Sequence, residues 1–294
     1  MRVIASTIRG ASMMKQGLVT LVCALNCEAR PWIESYKLKK VCDKPFDLYA
    51  NEQSQVQVLI SGIGALSTAA AVGWLGARAQ LQDSLSAMAW LNLGIAGHAT
   101  FELGTPVRVH AFVGEESLRK HYPPLTAKWS NETSAILSVN AHSNAYPENM
   151  MVDMEAFAFY QSACLFSSAE LVQSIKVISD NENHDVSDLN ANKITALMRP
   201  QLDNITQFIE ALLALPAVTK PAELILELTQ LRATHSQRQQ LDALLSKVSV
   251  LGLEAQVSEL QLESKTSIND VLNSLRELLK FAAPSFMSTT QESH

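Results

Sequence analysis

Near-continuous apolar residues fill positions 18–25, the pattern of a strand buried on both faces. Similar short apolar runs predict further strands over 56–60, 87–93, 106–113, 135–139 and 172–178. Apolar positions spaced by three and four residues predict helices over 28–39, 66–80, 153–166 and about 187–215, the last interrupted near Pro200. Strands alternating with helices imply an α/β layer architecture around a largely parallel sheet. In such sheets ligands collect at the carboxyl ends of the strands.

The pattern changes after Pro216. Leu-rich amphipathic segments at 224–231, 237–248 and 268–279 predict an all-helical extension, and no heptad persists long enough for a coiled coil. Four segments follow: a loosely ordered lead-in over 1–16, with Met13 or Met14 as possible starts; an α/β domain over 17–215; the helical extension over 216–284; and a disordered tail over 285–294. The basic lead-in followed by an apolar run is only superficially like a signal peptide, because the run is short and has no small-residue cleavage pattern.

Composition narrows the function. The 294 residues are 47% hydrophobic, enough for a substantial core, and carry a net charge of −6. That charge argues against a nucleic-acid surface, and no apolar run is long enough to cross a membrane. Cys23, Cys27, Cys42 and Cys164 have neither metal spacing nor a dense disulfide pattern, which points to free thiols in the cytoplasm. No metal site and no cofactor is predicted.

Polar and glycine-rich clusters fall at four predicted strand ends: Asn26 to Glu28; Ser61, Gly62, Ile63 and Gly64; Gly94, Ile95, Ala96 and Gly97; and Ser179 with Asp180. Their convergence is itself a site prediction. Glu28, Asp153, Glu155 and Asp180 stand out by position, although acids at a helix start also serve simply to oppose its dipole. Glycines at strand-to-helix turns serve tight packing as readily as a phosphate cradle. His98 reads as a rim residue, His184 and Asp185 as surface or capping residues, and Cys27 has no nearby His to activate it.

Val152-Asp153-Met154-Glu155-Ala156 resembles the segment with which methylthioadenosine/S-adenosylhomocysteine nucleosidases and related nucleoside phosphorylases grip ribose. Ile178-Ser179-Asp180 is similar to the segment of that superfamily bearing the purine-protonating aspartate. Ala24 to Glu28 looks like the nucleosidase segment whose last glutamate activates water, and both glycine turns match in order. The resemblance spans about 18–215. It implies a three-layer αβα sandwich and cleavage of the N-glycosidic bond of an adenosine-type purine nucleoside.

By that resemblance Glu28 is the general base and Asp180 the acid at the purine, which requires a proton on Asp180 in the complex. Glu155 binds the ribose hydroxyls, with Met154 packing on the sugar or filling core. Ser179, Gly62, Gly64, Ala96 and Gly97 line the substrate. Ile95 replaces a Ser or Thr that many members use to hold phosphate or water, and the phosphorylase Gly-Asp-Pro and Arg pattern is missing after the first strand. Both departures lean toward water as nucleophile, although hopanoid-associated phosphorylase-like members share them. His142 and Tyr146 are the candidates to stack on the base. The alternatives are a phosphate-dependent phosphorylase and a non-catalytic nucleoside binder. Homo-oligomers, a dimer favoured, are implied by the resemblance.

Overall fold

The computed structural model describes residues 17–80, 88–115, 120–141, 146–147, 149–184, 187, 189–215, 233–250, 253, 256–257, 260 and 267–281. The predicted lead-in, the tail, the predicted helix over 224–231, His142 and Asp185 lie outside them. The chain divides into two compact units, residues 1–217 and 218–294.

The first unit is mixed α/β with a central sheet. Strands β1 (Leu18–Cys23), β4 (Val56–Ile60), β5 (Met88–Gly97) and β10 (Val172–Asp180) form its parallel heart, in the order β4–β1–β5–β10. Alternate residues of β1 face opposite ways, as the two-residue period of a strand demands. Val19, Leu21 and Cys23 join one apolar cluster with helices α1 (Asn26–Ser35), α4 (Ala191–Met198) and α5 (Leu202–Leu213). Val22 joins a second cluster with α2 (Ala65–Gln80) and α3 (Ala156–Ala163). Burial on both sides matches the near-continuous apolar character of β1 and β5, whereas β10 buries Gln173, Ser174, Lys176, Ser179 and Asp180 among its apolar residues.

β5 is the pivot. It pairs with β1 along one edge from Met88, with β10 along the other from Trp90, and with β9 (Met150–Asp153) at Gly97. From β10 the sheet continues through β6 (Pro106–Gly114) and β8 (Thr133–Ser138) to β9 and so returns to β5. This closure brings the ends of β9 and β10 beside the glycine-rich end of β5. A short β7 (Lys120–His121) pairs with β6, and a hairpin of β2 (Lys39–Cys42) and β3 (Asp47–Ala50) extends the other edge.

Several boundaries differ from the sequence pattern, three of them at helix ends. The predicted first helix stops at Ser35, because Lys39 already belongs to β2. Asp153 ends a strand rather than opening a helix, and α3 begins three residues later. The stretch after residue 187 starts its helix at Ala191, where the Asn190 side chain accepts the Asn192 and Lys193 amides, and passes through a short 3-10 turn at Arg199–Gln201.

In the second unit, helices α6 (His235–Val250) and α7 (Ile268–Phe281) share an apolar cluster of Leu245, Val248, Val257, Val271 and Leu275. Among the described residues, no helix is long and apolar enough to cross a membrane.

Candidate active site

The ends of β1, β4, β5 and β10, with the end of β9, carry the polar groups. Glu28 lies in the first turn of α1, immediately after β1. Its Oε2 accepts the Leu25 amide at 2.8 Å, capping its own helix, and its Oε1 accepts the Ile95 amide of β5 at 3.1 Å. A Cβ at position 94 would sit 2.8 Å from Glu28 Oε1, so a glycine there is what lets the carboxylate approach the strand. Thr195 of α4 donates its hydroxyl to the Cys27 carbonyl at 2.9 Å and braces the same turn.

The turn after β4 places Gly62 and Gly64 at φ of 81° and 94°. The Gly64 amide donates to Glu155 Oε1 at 2.7 Å. Glu155 stands at the start of α3, and its neighbour Asp153 anchors that start. Asp153 Oδ2 accepts the Ala156 amide at 2.8 Å and Oδ1 accepts the Ser138 hydroxyl at 2.6 Å.

Between these acids lies Lys176, which the sequence reading missed. It is 2% exposed and pairs with Gly94 in the register of β10 and β5. Its Nζ lies 2.9 Å from Asp153 Oδ2. Burial works against its ammonium, but Asp153, Glu155 and Glu28 outweigh it, so Lys176 holds its proton more tightly than usual. Burial pushes the Glu28 carboxyl up to about 7, with Lys176 and the two amides opposing the rise. Glu155 is raised too, by burial and then by the charge of Asp153.

Asp180 ends β10 opposite Gly97, after a bulge that follows Ile178. The Ser179 hydroxyl donates to its Oδ1 and the Tyr146 phenol to its Oδ2, the latter at 2.7 Å. Any side chain at position 97 would overlap both Asp180 Oδ2 and the Tyr146 ring. Gly94 and Gly97 lie three residues apart on one strand, about 10 Å at 3.3 Å per residue. The lysine–carboxylate cluster and the Asp180 cluster thus meet β5 at nearby positions close to its end.

The remaining predicted residues divide. Met154 is half-buried between Asp153 and Glu155. Ala96 turns its side chain into the core, and its carbonyl faces the Ser179 hydroxyl at 3.4 Å. Ile95 packs against the cluster of α1, α4 and α5, and its backbone holds Glu28. His98 is not a rim residue: it is buried, stacks on Phe101 with ring centres 4.0 Å apart, and accepts the Thr100 and Phe101 amides at Nδ1. Tight turns after β5 need such an acceptor, and burial lowers its proton affinity. Cys27 is half-buried with its thiol pushed up by burial, the opposite of an activated nucleophile. All four cysteines are free. His184 bonds to Asn181 beyond the site. Among the described residues, no cluster could hold a metal ion.

The structural neighbours are methylthioadenosine/S-adenosylhomocysteine nucleosidases. The apo 5′-methylthioadenosine nucleosidase of Arabidopsis thaliana matches with a TM-score of 0.54 at 15% identity, covering 68% of this chain and 98% of that one. The Streptococcus pneumoniae nucleosidase bound to a transition-state inhibitor matches with a TM-score of 0.53 at 18% identity, covering 66% and 99%. The Neisseria meningitidis nucleosidase bound to methylthio-immucillin-A matches with a TM-score of 0.52 at 19% identity, covering 65% and 98%. At such identities the likeness establishes the fold. No protein-family model and no curated protein sequence matches the chain.

Proposed function

We propose that this protein cleaves the N-glycosidic bond of a purine nucleoside, with water as the attacking group. Cleavage builds positive charge on the ribose and negative charge on the departing base. Glu155 faces the sugar and stabilises the developing cation, while Asp180, protonated in the complex, delivers its proton to the purine. Glu28 takes a proton from water. A carboxyl that titrates near 7 is matched to that task at neutral pH.

The observation that carries this reading is the buried lysine among acids. Glu28, Asp153 and Glu155 outnumber Lys176 three to one, and all four are buried. Such a cluster repels an incoming phosphate dianion and tolerates neutral water, which favours the nucleosidase over the phosphorylase. The names of the structural neighbours support an adenosine-type base. The finer architecture belongs to the same proposal: a three-layer αβα sandwich over 17–215 holds the site, the C-terminal helices form an extension, and the protein acts as a cytoplasmic homo-oligomer.

The test is purine release from 5′-methylthioadenosine, adenosine and inosine, with and without phosphate. We expect release at the same rate in both conditions. Strict dependence on phosphate would overturn water as the nucleophile, and tight binding without release would leave a nucleoside-binding protein.

A further inference from the structure

Asp180 has two carboxylate oxygens, and each already accepts a hydroxyl: Ser179 at Oδ1 and Tyr146 at Oδ2. Ser179 is the adjacent residue on the strand and turns its hydroxyl back onto Asp180, so Oδ1 is held locally. Oδ2 is therefore the oxygen left to meet a base. Tyr146 comes from a different part of the chain, the turn before β9, where the Met150 amide donates to the Pro147 carbonyl at 3.3 Å. Its ring lies over Gly97, the position where a Cβ would collide with both partners.

The two occupants make opposite demands on Oδ2, one needing an acceptor and the other a donor. The phenol is a donor and uses Oδ2 as an acceptor. A purine N7 is an acceptor, and it can take Oδ2 only when that oxygen carries a proton. Resting on the nucleoside reading above, we propose that Tyr146 competes with the base: its phenol occupies the purine's place on Asp180, and the base binds only by displacing it. Tyr146 thereby sets how much a base must gain from burial and stacking before it is accepted. It acts through Asp180 as a positioning residue.

The test is titration calorimetry of the full chain with adenine, for the wild type and for Tyr146→Phe. Phenylalanine keeps the ring against Gly97 and removes the competing hydroxyl. A hydrogen bond to a charged group is worth enough to predict roughly tenfold tighter adenine binding in Y146F, with a parallel fall in nucleoside KM. Equal or weaker adenine binding in a Y146F protein that melts cooperatively would overturn the proposal. Should Y146F not fold, Tyr146→Leu, which also lacks the hydroxyl, decides by the same criterion. Failure of the underlying reading looks different: no purine release and no adenine binding by the wild type or either variant, which removes this proposal with it.

Discussion

A lysine at the centre of a strand buried on both faces is costly unless paired, since buried ammonium groups are almost never left alone. Lys176 is paired with Asp153 and lies within the fields of Glu155 and Glu28. The hint was present in the sequence, where Ser174-Ile175-Lys176-Val177-Ile178 interrupts an apolar run with one cation. It was not legible as a site because its partners lie on β9, α1 and the start of α3. Replacing Lys176 with Met removes the neutralising charge that it places among the three acids. We expect a stability loss of about 3–5 kcal/mol by urea denaturation, together with an upward move of the Glu28 titration in the pH–rate profile. The need for glycine at 94 is legible only with the structure. Gly94→Ala places a methyl against Glu28 Oε1 and should cut purine release about as far as Glu28→Gln does, which parallel kinetics of the two variants would check.

The pH behaviour follows from Glu28. Its ionised form is the base, so purine release should climb as pH rises through about 7. Stability runs the other way. A carboxyl raised from 4.5 to about 7 binds its proton more tightly in the folded state. Its stabilising contribution is therefore complete below 4.5 and lost as pH rises toward 7, about 3 kcal/mol for a fully buried group. Glu155 is shifted in the same direction. A higher urea midpoint at pH 5 than at pH 8 is expected, and the reverse order would show that Glu28 is not held in this environment.

At the scale of elements, the strands with continuous apolar character were legible: β4 falls where the pattern put it, and β1, β6 and β10 differ by a few residues at their ends. β2 and β3 were not. They form an edge hairpin, and β2 is mostly exposed, so neither shows an apolar run. β9 was missed because Asp153, Met154 and Glu155 read as the acidic first turn of a helix. In the structure Asp153 serves that turn from outside, by accepting the Ala156 amide from the end of the strand. Helix α4 holds α1 through Thr195 and Cys27. Thr195→Val should cost about 1 kcal/mol in urea denaturation, the usual worth of one such hydrogen bond. It should also lower kcat more than it raises KM, because it loosens the turn that aims Glu28.

At the scale of the molecule, the apolar clusters of the first unit draw on residues up to Leu215, and the cluster of the second unit lies between Leu241 and Leu279. The change of pattern after Pro216 is a matter of period and punctuation, which local sequence carries. What the helical unit does is not written in such a period. About two thirds of this chain covers nearly the whole of each structural neighbour. A chain ending at Ala217 should fold cooperatively and keep purine release within a few-fold, as a thermal melt and a rate measurement would show. Loss of both would mean that the second unit completes the first.

Acids from separate elements, Glu28 of α1, Glu155 at the start of α3 and Asp180 of β10, are proposed to act on one sugar–base bond. Comparing adenine release from 5′-methylthioadenosine by the wild type and by Asp180→Asn tests it most directly. Asparagine keeps the shape and cannot give the base its proton, so the rate should fall roughly 10²–10⁴-fold. An unchanged rate in D180N, or a wild type that releases no purine from any nucleoside, would contradict it.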